Sequence, residues 1–124
     1  MKKAIILAAA TLLASSTALA GSKEPNINVQ NSTNKFTLIV NYTTPGDSTQ
    51  RILTSYPHSA TVFHDNTTKV AIQSLVVMQG NAALPFAGIC GNLQRGQLYN
   101  GVSIKVSSIF KTDGLKPVVA CTPK

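Results

Sequence analysis

Apolar and polar residues alternate through most of this 124-residue chain, and turn residues interrupt the alternation about every eight to twelve positions. A period of two is the pattern of a strand with one face buried. The plainest case is Lys35 to Thr43. Phe36, Leu38, Val40 and Tyr42 fall on one face; Lys35, Thr37 and Asn41 fall on the other, with Ile39 the exception. Ile27 and Val29 begin a shorter stretch of the same kind. Pro45-Gly46-Asp47 reads as a turn, because proline presets φ and glycine accepts a positive φ. Arg51 to Tyr56 then reads as a strand stopped by Pro57, and Ala60 to His64 as another before the turn pair Asp65-Asn66.

Lys69 to Gln79 is the most apolar segment. Val70, Ile72, Val76 and Met78 lie on one face, and Ala71, Leu75 and Val77 on the other. A strand apolar on both faces belongs at the centre of a sheet, and its β-branched content favours a strand over a helix. Asn100-Gly101 is the strongest hairpin signal. It joins a short strand, Gln97 to Tyr99, to a long one, Val102 to Lys111. In the long strand Val102, Ile104, Val106 and Phe110 face one way, and Ser103, Lys105, Ser107 and Lys111 the other. Asp113-Gly114 turns the chain again, and Pro117 to Cys121 makes a last strand. No segment reads as a helix. The pattern predicts an all-β fold, an antiparallel β-sandwich of about seven strands. Its size is immunoglobulin-like, and the comparison stops at architecture. The chain has no Trp, and Cys90 and Cys121 are closer in sequence than an inter-sheet disulfide of that fold requires.

The first twenty residues change the picture from fold to compartment. Lys2 and Lys3 precede an uncharged apolar run, Ala4 to Leu13, and Ala18-Leu19-Ala20 offers small residues at the positions a signal peptidase reads. The run is too short to span a bilayer. Residues 1–20 are therefore expected to be a signal peptide, and 21–124 a single domain of an exported protein, secreted or periplasmic, with no transmembrane segment after cleavage. Residues 21–26 read as a mobile leader. The start resembles a bacterial export signal, and no Cys follows the cleavage site to carry a lipid. Asn31-Ser32-Thr33, Asn41-Tyr42-Thr43 and Asn66-Thr67-Thr68 fit the N-glycosylation acceptor pattern, which matters only in a eukaryotic secretory pathway.

Export gives the two cysteines a meaning. An even count in an oxidising compartment predicts a Cys90–Cys121 disulfide, and the spacing is not that of a Cys-X-X-Cys redox pair. Closing a loop of roughly 30 residues contributes about 3.6 kcal/mol in the chain-entropy model.

Charge supplies the bias in partners. The whole chain carries +7; without Lys2 and Lys3 nine basic residues stand against the four acids Glu24, Asp47, Asp65 and Asp113, for +5. The basic residues are dispersed rather than clustered. This favours attraction to an anionic surface, a phospholipid headgroup or a glycan, or contact with a protein partner; nucleic acid is not the expected partner. The candidate contact residues are Arg95, Tyr99, Lys105, Lys111 and Lys116. Lys105 and Lys111 share the outward face of one strand. The Gly-rich segment 80–101, with Phe86, Leu93, Arg95 and Tyr99, breaks the strand rhythm and is a candidate recognition loop or a plain crossover.

Catalysis and metals find less support. His58 and His64 are the only histidines. With Tyr56 and Asp65 they are candidates to gather at one end of the sandwich. A metal site takes three or four convergent ligands, so neither metal nor cofactor is expected. The three well-placed aspartates, 47, 65 and 113, all sit at turns, where Asp is favoured for backbone reasons. No Gly-X-Ser-X-Gly elbow or phosphate-binding glycine loop is present. The expectation is a small non-enzymatic binding protein, of the kind a bacterium releases as an effector. The alternative is a periplasmic structural or accessory subunit that joins its partner by strand addition at a sheet edge.

Overall fold

A computed structural model describes residues 25–84 and 90–123. The leader and the centre of the Gly-rich segment, including Phe86, lie outside the described residues. The described residues form nine strands and no helix: β1 (Ile27–Asn31), β2 (Phe36–Thr44), β3 (Asp47–Ser55), β4 (Ser59–Phe63), β5 (Val70–Gln79), β6 (Ala82–Leu84), β7 (Leu98–Tyr99), β8 (Val102–Lys111) and β9 (Gly114–Pro123). They build a sandwich of two sheets. One has the order β4-β1-β8-β9; the other has the order β3-β2-β5-β6, with β7 also on β5. Among the described residues no helix is long and apolar enough to cross a membrane.

Each ladder is antiparallel except one. β1 runs parallel to β8, from Ile27↔Val102 to Asn31↔Val106. Parallel neighbours need a long connection, and here β2 to β7 supply it. The core is the sum of the inward faces. Phe36, Leu38, Val40 and Tyr42 of β2, Ile27 and Val29 of β1, and Val102, Ile104 and Val106 of β8 are buried together. Tyr42 and Phe63 close the gap between the sheets, with ring centroids 5.0 Å apart, a separation at which tilted aromatic pairs attract.

Asn100-Gly101, the strongest hairpin signal, joins no hairpin: β7 pairs with β5 in one sheet and β8 with β1 and β9 in the other, so the pair is a crossing between sheets. Four further features differ from the expected pattern. β6 is additional: Gly80, at φ +60°, and Asn81 turn the end of β5 back on itself, pairing Gln79 with Ala82 and Val77 with Leu84. β3 and β9 begin earlier than expected, directly after the tight turns at 45–46 and 112–113. Asn26 is not part of a mobile leader. It is fully buried; its side-chain amide donates to Thr68 O at 2.9 Å, and its Oδ1 accepts from Asp65 N at 2.6 Å.

The fourth concerns β5. It is central, as its composition suggests, but its two apolar faces arise from a bulge. The pairing steps from Asn41↔Ser74 to Tyr42↔Ile72, so Gln73 is an extra residue. The inward face is even-numbered before Gln73 (Val70, Ile72) and odd-numbered after it (Leu75, Val77). Side-chain period flips when one residue is inserted in a strand. Gln73 Nε2 donates to Thr43 Oγ1 at 3.0 Å beside the bulge.

The register fixes which loops share an end. Residues 32–35, 56–58 and 80–81 lie at one end, with the β8–β9 turn beyond them. Residues 45–46, 64–69 and 100–101 lie at the other, where Val102 N donates to Asn26 O at 2.8 Å.

Candidate functional site

The candidate site grows from a mismatch in strand length. β8 has ten residues, but β1 covers it only as far as Val106. Ser107–Lys111 and Gly114–Val118 pair with each other alone. Five residues at 3.4 Å per residue make this overhang about 17 Å long. The hairpin forms readily: β-branched residues alternate through Val102, Ile104 and Val106, and Gly114 at φ +119° closes the two-residue turn from Lys111. Asp113 at the turn pairs with Lys116 at 3.1 Å. The hydrogen bond from Lys116 holds the Asp113 carboxyl below its ordinary range, with help from its own backbone amide.

Residues opposed in an antiparallel pair share a face. The outer face of the hairpin therefore carries Lys105 opposite Ala120, Ser107 opposite Val118, Ile109 opposite Lys116, and Lys111 opposite Gly114. Lys105 and Lys111 are exposed, six residues or about 20 Å apart. Neither is in an ion pair among the described residues. A depression of about 280 Å³ opens at the root of this face, lined by Gln30, Ser32, Lys105, Val106, Ser107 and Ala120. It offers one ammonium with hydroxyl and amide groups around it, a donor set suited to an anionic oxygen. On the inward-numbered face of the overhang, Leu115 is half-buried against the core, but its cross-strand neighbour is not. Phe110, in line with buried Val106, is 83% exposed.

The five sequence-derived contact residues therefore divide. Lys105, Lys111 and Lys116 share the outer face of the hairpin. Arg95 and Tyr99 do not join them: Tyr99 pairs with Val70 in the other sheet, and Arg95 lies in the turn before it. Tyr99 is half-buried, and its hydroxyl accepts from Gln94 N at 2.9 Å, which makes it a strut for its own loop. The loop is anchored at Cys90, bonded to Cys121 of β9 with Cα atoms 5.6 Å apart. Buried Leu93 and a hydrogen bond from Asn92 Nδ2 to Cys121 O at 3.1 Å hold it further. These contacts anchor the segment at Cys90, Asn92, Leu93 and Tyr99, while Gly91, Asn92 and Gln94–Leu98 remain exposed.

The histidines do not gather. His58 precedes β4 and His64 follows it, so six residues of extended chain, about 20 Å, separate them. Tyr56 stays with His58, and Asp65 stays with His64. His58 takes φ +56° in the Tyr56-Pro57-His58-Ser59 turn. It is held there by its amide on Thr33 O at 3.2 Å and by Nε2 against Asn34 Oδ1. Among the described residues no group of three or more His, Cys, Asp or Glu is placed to hold a metal ion.

Sequence reasoning missed two polar residues, and both prove structural. Asn26 and Asn31 are buried at opposite ends of β1. Asn31 Nδ2 donates to Phe36 O at 2.8 Å and Ser55 O at 3.1 Å, while its Oδ1 accepts from Thr33 N and Thr33 Oγ1. That engagement removes Asn31 from the accessible acceptor patterns. Asn41 is half-buried and donates to Ser74 Oγ at 2.8 Å. Asn66 alone of the three lies exposed in a turn. No protein-family model matches the chain, and no curated protein and no solved structure is significantly similar to it.

Proposed function

We propose that this is an exported, non-enzymatic binding protein that recognises an anionic surface through the outer face of the β8–β9 hairpin. One observation carries the reading: a hairpin longer than its sheet presents Lys105, Lys111 and Lys116 in a row on a single face, with one carboxylate, Asp113, among them. A row of cations on a projecting strand pair meets an extended negative surface without a concave pocket, and its attraction is long-range. The leader and the disulfide support a site of action outside the cytoplasm, since such bonds persist in oxidising compartments.

The test is binding of the purified protein to anionic vesicles and to an immobilised sulfated glycan, at two salt concentrations. Lys105→Glu combined with Lys111→Glu should weaken binding strongly, and binding to the parent should fall as salt rises. Binding indifferent to both changes removes the reading.

A second reading, an accessory subunit contacted at a sheet edge, is favoured at one place. β3 is a nine-residue edge strand without proline. β9, an edge of the other sheet, contains Pro117 and Pro123, which lack an amide donor, and Asn92 occupies its Cys121 carbonyl. Strand addition would therefore use β3.

A further inference from the structure

We infer that the overhanging end of the sandwich docks on an anionic phospholipid bilayer and seats Phe110 in the membrane interface. The inference rests on the anionic-surface reading and names its source.

The aromatic side chains carry the first part of the argument. Phe36 and Tyr42 are buried, and Phe63 and Tyr99 are half-buried. Phe110 and Tyr56 are 83% and 64% exposed, and the register puts both at the same end. Ile109, opposite Lys116, is also exposed at the tip. Exposed aromatic and aliphatic groups on a projecting tip are unfavourable in water and favourable at a lipid interface, where an aromatic ring and a snorkelling lysine lie side by side.

The charge carries the second part. Lys35, exposed in the β1–β2 loop, Lys111 and Lys116 stand at this end with Asp113, which Lys116 already neutralises. Lys105 lies at the root, about 20 Å from the turn. Lys116 is level with Ile109 and Lys111 is one residue nearer the turn than Phe110, so long lysine side chains reaching back to anionic headgroups and a phenyl ring among the upper acyl chains fit one depth of the leaflet. Shape selects against the other occupants. The paired overhang has ten residues, well short of the roughly 20 to 30 per side of a standard protein interface. A glycan gives an 83% exposed phenyl next to aliphatic Ile109 no burial comparable with that in acyl chains.

The chain contains no Trp, so Phe110→Trp installs a single fluorophore at the tip. The variant, expressed with its own leader and purified, is mixed with vesicles of phosphatidylglycerol and phosphatidylcholine or of phosphatidylcholine alone. The expected result is a blue shift with anionic vesicles, quenched by brominated acyl chains. In parallel, Phe110→Ser should lower vesicle partitioning roughly tenfold, the loss of one buried aromatic contact, with an unchanged melting temperature. If the protein sediments with anionic vesicles while the indole stays in an aqueous environment, or if Phe110→Ser binds like the parent, insertion is overturned and the anionic-surface reading stands. A blue shift that depends on protein concentration without lipid would mean that a second copy covers Phe110, and it overturns the inference. Binding to neither anionic vesicles nor a sulfated glycan defeats both readings.

Discussion

Asn31 offers the sharpest test of how the end of β1 is held. Its side chain is 3% exposed and makes all four hydrogen bonds open to an amide. Asn31→Ala leaves Phe36 O with a second donor, Thr33 Oγ1 at 3.1 Å. The Thr33 amide, in a residue 1% exposed, loses its acceptor, and Ser55 O loses a donor. Each of the two buried groups left short costs about 1–3 kcal/mol, so the expected destabilisation is about 2–6 kcal/mol. Urea unfolding followed by circular dichroism measures it, with the m-value unchanged. Asn31→Asp separates hydrogen bonding from volume. At neutral pH it sets a carboxylate against two carbonyl oxygens, so it should be less stable than Asn31→Ala. The folded state then favours the protonated acid, its folded pKa is raised, and the variant should regain stability as pH falls. An Asn31→Ala protein within about 0.5 kcal/mol of the parent would refute the claim that this amide holds the β1–β2 corner.

Three further outcomes are expected. Reduction of Cys90–Cys121, or Cys90→Ser with Cys121→Ser, should lower unfolding free energy by about 3.6 kcal/mol and loosen residues 90–97 first, as read by hydrogen exchange. Deleting Gln73, the extra residue, should leave Val70, Ile72, Leu75 and Val77 all inward on an unbroken ladder with β2, so the unfolding free energy by urea titration should stay within about 1 kcal/mol of the parent. Burial raises the Tyr42 phenol above its ordinary 10.0, against the lowering effect of Arg51. Its contribution to stability is therefore complete below pH 10 and is lost as pH climbs through the higher folded value, so Tyr42→Phe should flatten the alkaline limb of a melting curve.

Much of the sandwich is written in local alternation. Phe36, Leu38, Val40 and Tyr42 bury as their spacing predicts, and Asp113-Gly114 closes a hairpin, whereas Asn100-Gly101 only carries the chain from β7 in one sheet to β8 in the other. β5 is the instructive exception. Its apolar residues point to a central strand, which is correct, but periodicity cannot distinguish two apolar faces from one face inverted by a bulge. Only pairing with β2 reveals that Gln73 is extra. β6 is too short for a period; its one local signal is the Gly80-Asn81 turn. Asn26 and Asn31 look like surface residues, because the carbonyls they satisfy come from segments as far as 42 positions away.

The hairpin site falls between these cases. That Lys105 and Lys111 share a face follows from their parity, but Phe110 shares parity with Val106, and parity alone would bury it. Burial also requires a partner at the same height, and height depends on where each neighbouring strand stops. β1 stops at Asn31 because its amide is spent turning the chain into β2, which leaves β8 five residues with no strand on that side. The side chain that makes the corner thus also creates the overhang. Shortening the hairpin by removing Ile109, Phe110, Leu115 and Lys116 in register should leave the core residues paired as before and cost about 1–2 kcal/mol, the contribution of half-buried Leu115, which packs on the core. The same change should abolish vesicle binding. A large loss of stability on this deletion would show that the overhang belongs to the fold and is not a projection carried for contact.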